Sequence, residues 1–352
     1  MEVIATPLEE FFKKRGASFR ERDGILLPHQ VKTDVEEMNA ATEGLFLTDG
    51  GDRAWVEMEG ADAADFLQRI LTSDVKKLQP GQGQWSAMLD GKGHWISDLL
   101  LYALPSENSI PRFGLDMPTC RRNVVLQKLE MMHFAESLKW TTPPVGRLLL
   151  LGLNKNTERP AMTIEAAADG WILQRPDRGA DCMERIVSAD GAEDVAKAML
   201  KGGAKLGGWF ALEQLRIGNF CPRWGVDFDE TSTLPNSNEW QRSSITKGCY
   251  AGQEVIAKIN TYGQAPRQLC HLHFADDETD LTGAELQNEE GRKMGMVTSW
   301  AWSWDDQVEG AVGLGTLRRR AAIEGGEVFA VVEGPGEKRV SVKVHLPEKI
   351  FG

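Results

Sequence analysis

Cysteine and tyrosine are scarce in this 352-residue chain, with five of the first and three of the second. The cysteines (Cys120, Cys182, Cys221, Cys249 and Cys270) are odd in number, scattered, and nowhere in CxxC spacing. That pattern excludes a secreted disulfide framework and a self-contained zinc or cluster site, so a metal centre would need help from another chain. No run approaches the roughly 18 apolar residues of a spanning helix. The opening "MEVIATPLEEFFKKRGASFRER" mixes both charges where a signal peptide needs an apolar segment. A soluble, cytoplasmic protein is expected. Positive charge is also short: 40 Lys and Arg stand against 52 Asp and Glu, a formal charge of −12. That balance argues against direct binding to nucleic acid or to an anionic membrane. The local exception is "LRRR", Arg318 to Arg320, a solvated loop or a contact for an anionic partner. There is no low-complexity linker and no internal repeat.

The length is too great for one compact unit and points to two or three domains. "LLPHQVKTDVEEMNAATEGLFLTDGGDRAWVEMEG" reads as short strands and turns. In "ADAADFLQRILT", Ala64, Leu67, Ile70 and Leu71 recur at helical spacing. "GQWSAMLD" and "HWISDLLLYAL" are strand-like and joined at Asp90-Gly91-Lys92-Gly93, turn chemistry that predicts an antiparallel hairpin. "PTCRRNVVLQKLEMM" and "AEDVAKAML" read as helices, "RLLLLGL" and "GWILQRP" as strands. From about Arg267 onward, short β-like runs are separated by turn residues. The expectation is an α+β body over residues 1–265 and a small C-terminal β-barrel over 266–352.

Two stretches could carry chemistry. On a strand, alternate residues share a face, so Asp98, Leu100 and Tyr102 point one way and Ser97, Leu99 and Leu101 the other. An acid among apolar neighbours and near a tyrosine suits a base or acceptor for a flat heteroaromatic ligand, with Trp85 as a stacking wall. The competing reading is a surface acid at a strand entrance. The second stretch is "KGCYAGQE", residues 247–254. A thiolate is the reactive form of cysteine, and Lys247 or a following helix N-terminus would favour it at Cys249. A buried structural cysteine in a tight turn is the alternative. "GQEVIAKI" fits either a helix or a strand. His271 and His273, beside Cys270, share a strand face but lack a third ligand nearby. Trp300, Trp302 and Trp304 alternate as barrel packing or an interface.

"KGCYAGQEVIAK" resembles the signature of the YgfZ family, folate-binding relatives of the glycine-cleavage T-protein (aminomethyltransferase) that serve iron–sulfur cluster assembly or repair. Further segments resemble the same superfamily: "GADAADFLQRILTSDV", "GQGQWSAMLDGKGHWISDLLLYAL", "ALEQLRIGNFCPRWGVDFDET", and "GMVTSWAW" with "AVGLGTLRR". The resemblance implies a T-protein-like cloverleaf, two α+β portions around a central pocket plus the C-terminal barrel. It implies tetrahydrofolate as cofactor, with Asp98 the key acid. Trp85, Leu100, Tyr102, Tyr250 and Arg267 would be folate contacts. Cys249 would be the essential thiol, oriented by Lys247. The implied partners are folate and iron–sulfur client or assembly proteins, tRNA-modification enzymes among them, and the implied state is a monomer. Two other functions stay open: a tetrahydrofolate-dependent aminomethyltransferase-type transferase, and a scaffold that has lost folate. One departure stands out. The family's Arg-x-Glu step, whose glutamate grips the pterin edge, is here Arg216-Ile217-Gly218.

Overall fold

The computed structural model describes residues 3–106, 109–152, 162–263, 265–276, 278–304, 310–332 and 338–348. The chain divides into two compact units. The first comprises 1–88, 96–215 and the short segment 247–250. The second comprises 89–95, 216–246 and 251–352.

Beside a small three-stranded sheet (Ile4–Ala5, Ile25–Gln30, Ser18–Arg22), the first unit contains two larger ones. One has five strands in the order Gly83–Leu89, Trp95–Ala103, Arg112–Pro118, Arg53–Gly60, Leu138–Thr141. The other has six, in the order Thr163–Ala167, Gly170–Arg175, Cys182–Ser188, Val145–Leu151, Phe46–Asp49, Lys205–Leu206. The period-two alternation of "LLLYAL" sorts its side chains into two cores. Leu99, Leu101 and Ala103 pack with Phe66, Leu67 and Ile70 of the Ala63–Ile70 helix and Val125 and Leu129 of the Arg122–Met132 helix. Leu100, Tyr102 and Leu104 pack with Trp55 and, from the six-stranded sheet, Ile164, Leu173 and Ile186. Each such side chain contributes about 1.5–3 kcal/mol on burial, so a one-residue slip in this strand would exchange both cores at once.

A difference from expectation lies at Asp34–Glu43, a helix where the sequence reads as strands and turns. Its start is a capping box: the Thr33 hydroxyl accepts from the Glu36 N–H while Glu36 accepts from the Thr33 N–H. Its apolar face is weak, with Met38 and Ala41 buried beside a charged Glu37. Glu37 instead accepts from the N–H groups of Val31, Lys32 and Gly208.

The second unit contains a closed barrel in the order Arg267–Phe274, Ala311–Arg318, Lys293–Trp302, Glu285–Gln287, Glu327–Val332, Lys338–His345. Its core includes Leu272, Phe274, Leu286, Val297 and Val342. Strands approach so closely at Gly313 that a Cβ there would lie 2.3 Å from the Ser299 carbonyl oxygen. The expected α+β class with a C-terminal barrel is therefore met. Among the described residues, no helix is long and apolar enough to cross a membrane.

Candidate functional site

The strand Trp95–Ala103 places Asp98 inside the first unit at 3 % exposure, which excludes the surface reading. Its carboxylate accepts from Arg53 Nη1 at 2.9 Å. Arg53 also donates through Nε to the Asp116 carboxylate and through Nη2 to the Asp116 carbonyl at 3.0 Å. Beyond Asp116 the charges continue. Arg147 and Arg175 each bond both Asp116 and Glu184, and Arg175 clamps Asp177 through two 2.7 Å hydrogen bonds. The three arginines hold the Asp116 carboxyl well below its usual range against the opposing effect of burial. Removing water from so many charges is costly, and matched partners with good geometry are the condition for keeping them. Asp98 is thus part of a fixed buried network of charges, oriented by Arg53.

Leu100 and Tyr102 follow on the Asp98 face, both fully buried. The Tyr102 hydroxyl has no hydrogen-bond partner among the described residues, and burial pushes its pKa well above the ordinary value. Trp85, half-buried, packs against the same cluster. Trp85, Leu100 and Tyr102 pack in one cluster, and Asp98 lies on the same strand as the last two. The sequence reading missed Arg53, Asp116, Arg147, Arg175 and Glu184. For Arg147 and Arg175 the signal was a lone charge in an apolar strand, "VGRLLLL" and "GWILQR", since a charge on a buried strand requires a partner.

The signature segment divides in two. Lys247 to Tyr250 lies with the first unit. Lys247, 7 % exposed, donates to the carbonyl oxygens of Gln68 at 2.7 Å, Leu71, and Ser73 at 2.9 Å. Gln68 and Leu71 belong to the end of the Ala63–Ile70 helix, whose last carbonyls lack intrahelical partners and carry the negative end of the dipole. Burial lowers the Lys247 pKa to about 8. Its ammonium also lies 5.0 Å from the ring centroid of the buried Tyr250. Lys247 is therefore an anchor for the segment. Cys249 is exposed, against the core-filler alternative.

The rest of the motif lies with the second unit and settles the helix-or-strand question. Gln253–Tyr262 is a helix. Its N-cap, Gly252, sits at φ +80°, and a Cβ there would meet Gly93 Cα at 2.8 Å and the Asp90 carbonyl at 2.9 Å. Glycine is required at Gly252 on both counts. Arg267 is exposed at the start of the barrel and lies across from Arg318. Gly218 ends the Trp209–Gly218 helix, with no atom within 4 Å of the point where a Cβ would stand. Among the described residues, no group of three or more His, Cys, Asp or Glu could hold a metal ion, the His271–His273 pair included. Trp300 is buried in the barrel core, while Trp302 and Trp304 are exposed.

Comparison with known proteins bears on the same regions. Residues 8–130 match the family described as the GCVT N-terminal domain. An aminomethyltransferase of Halalkalibacterium halodurans is 25 % identical over 351 residues, 94 % of each chain. One of Staphylococcus carnosus is 25 % identical over 316 residues, 85 % of this chain and 86 % of its own. The crystal structure of the glycine cleavage system aminomethyltransferase T from Bartonella henselae superposes with a TM-score of 0.85 at 22 % identity, covering 98 % of this chain and 97 % of that one. The fold is that of an aminomethyltransferase T-protein across nearly the whole chain.

Proposed function

We propose that this chain binds tetrahydrofolate against Asp98 and acts as a folate-dependent one-carbon transferase of the aminomethyltransferase type. The observation that carries the reading is Asp98 itself: a buried carboxylate, oriented by Arg53, on the hairpin strand of a T-protein fold. The resemblance to full-length aminomethyltransferases supports it. The residues suit the cofactor, because the buried Tyr102 hydroxyl lacks a partner among the described residues and Trp85 is half-buried beside it. Tetrahydrofolate, when bound, supplies the nitrogen nucleophile that takes up the one-carbon unit.

The chain's own part is orientation and proton handling. The Arg53 guanidinium fixes the Asp98 carboxylate so that its remaining acceptor capacity serves a ligand N–H. Asp98 accepts the proton lost by the attacking nitrogen and returns it to the amine whose bond to the one-carbon unit breaks, so that the amine leaves as ammonia. Tyr102 offers a buried hydroxyl, and Trp85 a stacking face. Formation of methylenetetrahydrofolate from a purified aminomethyl donor tests the proposal. Asp98→Asn is expected to lower that rate by about 10²–10⁴-fold, the range of a general base. Undiminished transfer by the variant would refute the role.

The exposure of Cys249 favours a second reading, an iron–sulfur accessory role in which the anchored Lys247 presents the thiol to a client. Gly218, in place of the family's glutamate, favours it too. In that case Cys249→Ala abolishes rescue of four-iron, four-sulfur enzyme activity in a deletion strain while leaving thermal unfolding unchanged. Full rescue by Cys249→Ala would leave the transferase reading alone.

A further inference from the structure

We propose that the cleft at the Arg267–Arg318 end of the barrel is a binding site for a small ligand carrying several adjacent carboxylates or phosphates. The cleft measures about 780 Å³, and Arg267, Arg318, Arg319 and Arg320 line it over an apolar floor that includes Ala322 and Ile323.

The arrangement is built by the backbone. Arg267 and Arg318 are direct partners on adjacent antiparallel strands, so their side chains emerge side by side on one face. A tight turn follows, in which the Ala321 and Ala322 N–H groups donate to the Arg318 carbonyl at 2.8 and 3.1 Å. The Arg319 N–H donates to the Pro266 carbonyl at 3.0 Å, which ties this turn to the start of the opposite strand. Three consecutive arginines are thereby held beside a fourth.

Like charges directly opposite each other destabilise a strand pair. Arg267, Arg318 and Arg320 make no ion pair among the described residues, so nothing within the cleft offsets that repulsion directly. The one acid lining the cleft, Glu324, is engaged by His345 Nδ1 at 2.9 Å and the Leu346 N–H at 2.6 Å. The cleft sets one engaged acid against four arginines, and so offers several forked donors within one small volume. Guanidinium forks match carboxylate and phosphate oxygens bidentately, so a ligand with adjacent anionic groups satisfies several at once. The volume fits a small molecule or a short peptide, and the apolar floor fits a hydrocarbon linker between the charges.

Calorimetric titration of the full chain with tetraglutamate and, separately, with tripolyphosphate tests the site at about 0.1 M salt, where the screening length is ~10 Å. A saturable site for at least one probe is expected. Tetraglutamate alone would assign a polycarboxylate ligand, tripolyphosphate alone a polyphosphate, and both a site for either. The Arg318→Gln/Arg320→Gln variant, altered only at exposed positions, should lose at least about tenfold in affinity through the loss of charge-assisted contacts. Arg292→Gln, an exposed arginine on the same barrel away from the cleft, should lose none. No saturable heat from either probe, or equal losses in the two variants, would overturn the proposal. The titration contains no folate, so its outcome is independent of the transferase reading.

Discussion

Two sets of four arginines show how one side chain serves two purposes. In the first unit Arg53, Arg147, Arg175 and Arg178 are buried, each bonded to one or more carboxylates. On the barrel Arg267, Arg318, Arg319 and Arg320 are exposed around a cleft whose only acid is already engaged. A buried guanidinium must be answered inside the fold, because an unpaired charge there costs several kcal/mol of stability. An exposed one carries no such requirement, and Arg267, Arg318 and Arg320 make no ion pair among the described residues.

Stability measurements break or sharpen that contrast most strongly. Arg53→Ala strands Asp98 and Asp116 without their shared cation, and a loss of about 3–5 kcal/mol in denaturant unfolding is expected. Arg318→Ala should change stability by no more than about 0.5 kcal/mol. Equal effects would erase the distinction.

A buried acid outside the paired network gives the next effect. Asp49, fully buried, accepts from the Thr6 hydroxyl and the Gly51 N–H, and burial pushes its pKa up to about 7. A folded-state value above the unfolded one means the stabilisation is present below about pH 4 and is lost as pH rises towards 7. Asp49→Asn should therefore remove a decline of about 2–4 kcal/mol across that window. A wild-type stability that is flat from pH 4 to 7 would contradict this assignment.

The smallest effect is expected at Gly218. Open space at Gly218 admits a longer side chain. Gly218→Glu, at an exposed helix end, should change stability by no more than about 0.5 kcal/mol in denaturant unfolding. A larger loss would show that the space around Gly218 is filled.

What the sequence made legible follows from the range of each signal. The sorting of Leu99 and Leu101 from Leu100 and Tyr102 needs only the two-residue period of a strand, and the Ala63–Ile70 helix only its apolar spacing. The Asp34–Glu43 helix hid because its inward face carries Glu37 among few apolar residues, although Thr33-x-x-Glu36 marked its start. Long-range pairing was out of reach. Arg53 and Asp98 are 45 residues apart, and Lys247 finds its acceptors 174 to 179 residues away. Lys247 reads from sequence as a tuner of the neighbouring thiol, whereas its protons reach the end of a distant helix.

The most direct test of the central claim is a calorimetric titration of the full chain with tetrahydrofolate, repeated on Asp98→Asn. The account predicts a saturable heat and a thermal stabilisation for the wild type, with both weakened in the variant. No heat and no thermal shift for the wild type would contradict it.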